Sequence, residues 1–207
     1  MRLTHLFHAA LAALFLGVLL APHAARPDGL SLRLDPSSKL WLDGDSTLHH
    51  WSAHAITMGA TFELAPGAKV DSLEALVRNG GLASATLRVP VNALRSGEDG
   101  LDKNLRDALH ADRFPQIEFA IHSIKSAGRE GGGLKLTLAG TLSIAGVAKE
   151  LEVAAEAVPT PEGNLRITGE RDVKMTEHGV TPPVLMLGAI KTADLVQVKF
   201  ELLLVRK

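Results

Sequence analysis

Residues 133–145 read GLKLTLAGTLSIA, and this stretch decides the fold. Its large aliphatic residues fall on one parity, which is that of Leu134, Leu136, Leu138, Leu142 and Ile144. A side-chain period of two is the period of a β-strand, in which successive residues point to opposite faces. The stretch therefore predicts a strand with one face in an apolar core and the other in water.

The same alternation recurs along most of the chain. In two segments the apolar and charged residues separate by parity: Leu151, Val153, Ala155 and Ala157 against Glu150, Glu152 and Glu156, and Val196, Val198, Phe200, Leu202 and Leu204 against Gln197, Lys199 and Glu201. Two shorter faces are Ile117, Phe119 and Ile121, and Ile56, Met58, Ala60, Phe62 and Leu64. Alternation of this kind favours antiparallel strands over buried parallel ones. We therefore predict antiparallel strands over 148–157 and 195–205, with Val153, Ala155, Val198 and Phe200 pointing inward.

Two segments have a helical period instead. Residues 100–111 (GLDKNLRDALHA) place Leu101, Leu105, Ala108 and Leu109 on one stripe, and Asp99 is the expected cap. In DSLEALVRNG, Asp71 and Glu74 have the spacing of a capping box, and Gly80 is the expected stop. Turn-forming stretches such as GREGGG and PTPEGN separate the strands. The predicted fold class is all-β, a sandwich or barrel, with one or two short helices.

The composition narrows the class of partner. The 207 residues carry a net charge of −1, so the chain has no global field that would attract a phosphate backbone. Aromatic residues make up only 4%, which disfavours stacking platforms for bases or sugars. Because of this charge and this low aromatic content, we expect no nucleic-acid partner. The chain also has no cysteine, and this excludes disulfides and thiolate chemistry.

The N-terminus has the order of a secretory signal. Arg2 precedes an apolar run over residues 9–21 (AALAALFLGVLLA), which continues into APHAA at residues 21–25. The run is short for a membrane span, although an uncleaved anchor is the alternative. We expect residues 1–25 to be a signal peptide and 26–207 to be one domain, periplasmic or secreted, with no integral membrane span after cleavage.

Small residues on the predicted inward faces raise the question of a cavity. They are Ala60, Ala83, Ala85, Ala155, Ala157 and Gly169. A closed barrel of about eight strands with so many small inward residues can hold a ligand. Large residues from facing strands can equally fill the space opposite each alanine. Parity alone leaves both interpretations open.

Four blocks of the sequence carry a family resemblance, and they are WLDGDSTLHHW, LDKNLRDALHADRFPQIEF, LAGTLSIAGVAKELEV and MTEHGVTPPVLMLGAIKTADLVQVKFELLL. In this order they resemble the successive signatures of the YceI-like family of exported polyisoprenoid-binding proteins. Residues 46–51 resemble the subgroup with a Ser-Thr-Leu-His-x-Trp block. The resemblance implies an antiparallel, lipocalin-like β-barrel of about eight strands. It also implies an apolar tunnel for an isoprenoid chain, such as a quinone tail or a polyprenyl lipid, with no cofactor required.

The expected function is that of a carrier or reservoir for such a ligand, and the chain carries no enzyme motif. The lumen candidates are Trp41, Trp51, Met58, Ala60, Phe62, Ala85, Phe119, Leu142, Ala155, Arg171, Met175 and Phe200. Arg171 shares the inward parity of its apolar neighbours. Either a bulge near Gly169 turns it outward, or it meets a polar head group or an internal carboxylate.

Two other functional classes stay open at this point. One is a packed barrel that acts as a structural or protein-interaction module. The other is a metal protein that uses the clustered residues His49, His50 and His54, although a strand brings at most two of them to one metal. We predict no metal site. The oligomeric state stays open, with a homodimer as one option.

Overall fold

The computed structural model describes residues 31–69 and 71–207. Within these ranges there are twelve strands and two α-helices. In chain order they are β1 (Leu32–Leu34), β2 (Lys39–Ser46), β3 (His50–Ala55), β4 (Gly59–Leu64), α1 (Leu73–Arg78), β5 (Leu82–Pro90), β6 (Leu94–Arg95), α2 (Asp99–Ala108), β7 (Gln116–Glu130), β8 (Gly133–Ile144), β9 (Val147–Pro159), β10 (Leu165–Lys174), β11 (Val184–Leu185) and β12 (Ile190–Arg206). The predicted signal peptide lies outside the described residues.

All neighbouring strands pair antiparallel, in the order β4-β5-β7-β8-β9-β10-β12-β2-β3-β6. β1 and β2 follow each other along the same edge of β12, with Leu34 opposite Leu204 and Lys39 opposite Glu201. β1 also packs against β4 at the other end of the order, so the sheet curls round on itself. If β1 and β2 are counted as one position and the two-residue strands β6 and β11 are left out, the described residues form nine strands of the curled sheet. The prediction of an all-β, antiparallel, barrel-like fold is confirmed.

The register of the long strands follows from the parity of the sequence. Val153 and Ala155 are buried on β9, whereas Glu152 beside them is exposed. On β12, Phe200 packs against the core, while Lys199 faces the other way and donates to Asp43 at 3.0 Å. A slip of one residue would place these charges in the core. The predicted register is therefore confirmed.

The strand predicted over 56–64 begins later than its alternation suggested. Ile56 lies between β3 and β4, where the chain turns before β4 begins at Gly59. Its N–H donates to the carbonyl of Ala93, and its side chain is 60% exposed. Ala83 is also exposed, on a strand whose pairing with β4 shifts at Glu63. The sequence predicted both residues to face inward, and both predictions were wrong.

The two helices form where they were predicted, but with different caps. Ser72, not Asp71, caps α1 through its hydroxyl, which accepts from the Ala75 N–H at 3.0 Å. Gly80 stops this helix with a positive φ of 68°, as the sequence indicated. Asp99 lies inside α2, whose N-cap is Glu98. Asp102 ties this helix to the preceding loop instead, because it accepts from the N–H and the hydroxyl of Ser96, each at 2.7 Å.

Candidate functional site

The barrel encloses a chamber that is apolar on nearly every side, which we call the inner chamber. Its volume is about 170 Å³. Side chains from β1, β2, β4, β5, β7, β8, β9, β10 and β12 line it, and Val77 of α1 also contributes. Among the described residues that line it, Arg171 alone is not apolar. The rest of the wall offers dispersion contacts, so it suits a hydrocarbon.

A second space, the outer chamber, lies beneath α2 and measures about 330 Å³. The apolar stripe of the helix forms its cover, through Leu101, Leu105, Ala108 and Leu109. Several polar residues also line it, and they are Ser46, His49, Glu98, Asn104, His178 and Thr192. The two chambers are adjacent, because five residues line both of them, and they are Leu42, Ile117, Ile144, Val173 and Val198.

The segment after α2 is fixed to the hairpin between β8 and β9. The ring of Phe114 lies against Gly146, at a position where a Cβ atom would overlap the ring. Gly146 also has a positive φ of 82°, which glycine adopts without strain. The guanidinium of Arg113 sits 5.3 Å from the centroid of the same ring. These contacts hold the cover of the outer chamber in place.

Trp51 is the largest aromatic residue of the outer chamber. It is only 7% exposed and lies opposite Gly44 in the pairing of β3 with β2. Its indole crosses Gly44 so closely that a Cβ atom there would lie 2.9 Å from Nε1 and nearer still to two ring carbons. Within the described residues, Trp51 Nε1 is buried and has no hydrogen-bond partner. A glycine at position 44 is thus what allows the indole to lie flat against the wall.

Nine of the twelve predicted lumen residues line a chamber. Ala60, Phe62, Ala85, Phe119, Leu142, Arg171 and Phe200 line the inner chamber, and Trp51 and Met175 line the outer one. That these side chains contact a ligand stays a prediction.

The other three predicted residues do not line either chamber. Trp41 is half-buried and lies opposite His54 and Lys199, on the parity of Asp43, which faces away from the lumen. Met58 packs against a small cluster near the start of β4. Ala155 points inward but is enclosed by the main core cluster. The structure thus places these three residues outside the two chambers, and their contact with a ligand stays a prediction.

Arg171 lies opposite Val198 on β10 without a bulge at Gly169, so its backbone keeps the inward parity. Its side chain lines the inner chamber and is nevertheless exposed overall. The ladder between β10 and β9 ends at the pair Gly169 and Ala155, two residues before Arg171. The end of this ladder lets the long side chain reach solvent. The predicted bulge was wrong, and no internal carboxylate among the described residues pairs with Arg171.

The histidines are dispersed. His49 Nδ1 lies 2.8 Å from the carbonyl of His50, and His50 lies 3.0 Å from Asp45. His122 contacts Glu150 at 2.9 Å on the outer surface. His178 is 2% exposed, and its Nδ1 lies 3.2 Å from the carbonyl of Val147. Within 31–69 and 71–207, the side chains of His, Asp and Glu form no group of three that could hold a metal ion.

Two carboxylates position the walls of the outer chamber. Asp194 accepts from the N–H and the hydroxyl of Thr176, at 2.8 and 2.7 Å, and so holds the turn Met175–His178 against β12. These two bonds keep the pKa of Asp194 below its usual value of 3.8. The bonds from Ser96 lower the pKa of Asp102 in the same way.

An exposed apolar loop forms part of the rim of the outer chamber. Met186 is 75% exposed, and Leu187 is fully exposed. Both residues have positive φ angles, of 49° and 54°, which side chains other than glycine rarely adopt. Leu185 of the same loop and Leu48 are also exposed, and both line the chamber. We refer to residues 184–188 as the rim loop.

Sequence reasoning missed Gly44 and His178 as residues of the site. Asp43 and Asp45 give the parity of this strand, because their charges mark the outer face and leave Leu42 and Gly44 inward. The same signal would have placed Trp41 outside. His178 gave no such signal, because its burial depends on Val147 of a distant strand.

The fold and the cavity together define a lipocalin-like barrel protein with an aliphatic interior. Residues 44–204 match the family model described as a YceI-like domain. The chain therefore belongs to the YceI-like family. No curated protein matches it significantly.

Solved structures show the same fold at low sequence identity. BcnA of Burkholderia cenocepacia is 20% identical, with a TM-score of 0.62, over 82% of this chain and 98% of that one. A polyisoprenoid-binding domain from Saccharophagus degradans, implicated in plant cell wall breakdown, is 13% identical, with a TM-score of 0.62, over 86% and 100%. The YceI protein of Campylobacter jejuni is 15% identical, with a TM-score of 0.55, over 75% and 84%.

Proposed function

We propose that this protein holds an isoprenoid or a similar long apolar ligand in its two chambers, as a carrier or reservoir. The observation that carries the proposal is the inner chamber, whose lining is apolar except for Arg171. The description of the Saccharophagus degradans domain as polyisoprenoid-binding supports the same class of ligand.

Burial of an apolar chain can give tight binding without an elaborate polar site. Burial of one methylene contributes about 0.8 kcal/mol, so a five-carbon isoprene unit contributes about 4 kcal/mol. Association costs roughly 4 to 15 kcal/mol in lost translational and rotational freedom. A few buried isoprene units therefore suffice for tight binding, and the length of the chain matters more than any single contact.

A binding role needs neither a cofactor nor a reacting group. Among the polar side chains of the outer chamber, Ser46 donates its hydroxyl to the carbonyl of His49 at 2.8 Å, and His178 is held by Val147. These two side chains thus have partners within the fold. The packed-module alternative requires a filled interior, and the unfilled volume of the two chambers counts against it.

We further propose that the protein acts in the periplasm or outside the cell. The support is the secretory order of residues 2–25 in the sequence. Within the described ranges, no helix has the length and hydrophobicity needed to cross a membrane.

Native mass spectrometry of protein purified from an isoprenoid-containing host tests the proposal. We expect an adduct whose mass matches an isoprenoid and which disappears after solvent extraction. Delipidated protein should then take up a farnesyl-chain lipid. Absence of both the adduct and the uptake would refute the proposal, whereas an adduct that a chelator removes would favour the metal-protein alternative.

A further inference from the structure

The exposed apolar residues at the rim of the outer chamber belong to two segments that are bonded together. They are Leu48 and the rim loop, residues 184–188, and together we call them the rim patch. The hydroxyl of Thr47 donates to the carbonyl of Ala189 at 3.2 Å and accepts from the N–H of Lys191 at 3.1 Å. The N–H of Thr47 donates to the carbonyl of Lys191 at 3.0 Å. The rim patch therefore has a hydrogen-bonded base and is a defined surface of the fold.

The rim patch places an unusual amount of hydrocarbon in water. Leu48 is 65% exposed, Val184 57% and Met186 75%, and Leu187 is fully exposed. Met186 and Leu187 also keep the left-handed backbone, which glycine and asparagine adopt at lower cost. Large apolar side chains at these two positions are thus unfavourable both in solvation and in backbone strain. Exposed apolar patches and retained strain of this kind mark surfaces that bind something.

The composition of the rim patch and of its surroundings indicates what covers it. Residues 46–48 (STL) and 179–190 (GVTPPVLMLGAI) contain neither a charged nor an aromatic side chain. Protein interfaces owe most of their binding energy to buried aromatic and arginine side chains. An uncharged, aliphatic surface instead matches the acyl chains of a lipid bilayer, which have no polar group to satisfy. A bilayer also accepts a protruding side chain such as Leu187 without a complementary pocket.

The rim patch is continuous with the outer chamber. Leu48 and Leu185 are exposed at the surface, and both also line this chamber. Apolar side chains therefore extend from the surface into the cavity. A lipid surface that covered the patch would lie against the same residues that form the wall of the chamber.

We propose that the rim patch docks this protein on a phospholipid bilayer, with Met186 and Leu187 inserted among the acyl chains. In this orientation the rim of the outer chamber lies against the membrane, and an apolar molecule can move between bilayer and chamber along an apolar surface. Docking is an activity beyond the proposed binding of a ligand. It is measured on ligand-free protein, so the two can fail separately.

Flotation with phosphatidylcholine vesicles tests the docking. These vesicles carry no net charge, and the exported, processed protein is delipidated before it is mixed with them. The test variant combines Met186→Asn with Leu187→Asn, because asparagine suits the left-handed backbone and removes the apolar surface. Neither residue lines a chamber.

Val158→Asn is the matched control. Val158 is 41% exposed on β9 and lies opposite Arg166, which pairs with Leu203 near the end of β12. The rim loop pairs with Ile190 and Lys191 at the beginning of β12. The control therefore removes an exposed apolar side chain at the other end of the barrel.

The wild type should float with the vesicles, and the double substitution should lower its partition coefficient by about tenfold or more, the size expected for the loss of one or two inserted aliphatic side chains. Val158→Asn should leave the partition coefficient unchanged. The melting temperature of the double variant should equal or exceed that of the wild type, because strain is relieved. Binding should be the same in 0.1 and 0.5 M NaCl, since salt screens only charge-driven attraction.

A fluorescent label reports whether the loop enters the bilayer. The chain has no cysteine, so Leu187→Cys and Val158→Cys each provide one site for an environment-sensitive fluorophore. Vesicles should shift the emission of the label at position 187 to the blue and leave that at position 158 unchanged. An equal response at both positions would contradict docking through the rim patch.

The other outcomes of flotation would overturn the assignment as well. They are a wild type that does not float, flotation that survives the double substitution, and flotation that 0.5 M NaCl abolishes. Self-association of the wild type in place of flotation, removed by the same substitutions, would mark the rim patch as an interface between two copies of this chain. Binding of a farnesyl-chain lipid in the absence of vesicles is measured on the same variants and should be unchanged, so loss of docking would leave the proposed function standing.

Discussion

Substitution of Ala85 by leucine fills space that a bound chain needs. Ala85 is 7% exposed on β5, and its cross-strand partners Phe62 and Ile121 line the inner chamber with it. Leucine adds three carbon atoms to a space of about 170 Å³. If these atoms displace three methylene equivalents of ligand, the loss is about 2.4 kcal/mol, or roughly a 60-fold weaker affinity.

The loss of ligand affinity in Ala85→Leu should not be accompanied by a comparable loss of stability in the ligand-free protein. Overpacking of a filled core costs about 1 to 3 kcal/mol, whereas filling a vacant cavity leaves stability unchanged or raises it. The assay is the dissociation constant for a farnesyl-chain lipid, with urea unfolding of the delipidated protein measured in parallel. Ala154→Leu is the matched control, because Ala154 is exposed on β9. Unchanged affinity in a folded Ala85→Leu variant would refute the inner chamber as the binding site.

Two further predictions concern the walls of the outer chamber. Gly44→Ala should destabilise the protein by about 1 to 3 kcal/mol, because its Cβ meets the Trp51 indole, whereas Gly59→Ala, with open space around its Cβ, should not lower the melting temperature. Ser96 lowers the pKa of Asp102 below its usual value of 3.8, so this carboxylate stabilises the fold above that pH and the contribution is lost as the pH falls through the lowered pKa. Asp102→Asn should therefore reduce stability at pH 7, and the difference from the wild type should shrink as the pH is lowered below 3.8. Urea unfolding at each pH measures this, and a constant difference would contradict it.

The wall of the barrel could be predicted from the sequence because charge and hydrophobicity separate by parity. On β9 and β12 the alternation alone fixes which side chains point inward, since the opposite register would bury Glu152 and Lys199. The residues that cap the helices were harder to predict from the sequence. Ser72 and Asp71 are adjacent and both are good capping residues, so one residue of shift in the backbone decides between them.

The sequence could not predict that the interior is divided into an inner and an outer chamber, because this division depends on contacts between distant strands. The inward parity of Ala155 is correct, yet the residue lies opposite Leu136 and Gly169, and their neighbours fill the space around it. Parity specifies direction, but it does not specify what lies opposite. For the same reason the sequence did not show that Trp51 would lie across Gly44, which only the pairing of β2 with β3 brings about.

The rim loop also has a consequence for local opening of the barrel. β11 is held to β12 by only two residue pairs, and Met186 and Leu187 keep a left-handed backbone that costs roughly 1 to 2 kcal/mol per residue. A segment with few hydrogen bonds and stored strain opens at a much lower free energy than the strands of the core. We expect its amides to exchange with deuterium far faster than those of β8, without global unfolding. A local fluctuation of five residues would then widen the rim of the outer chamber, while the strands of the barrel stay paired.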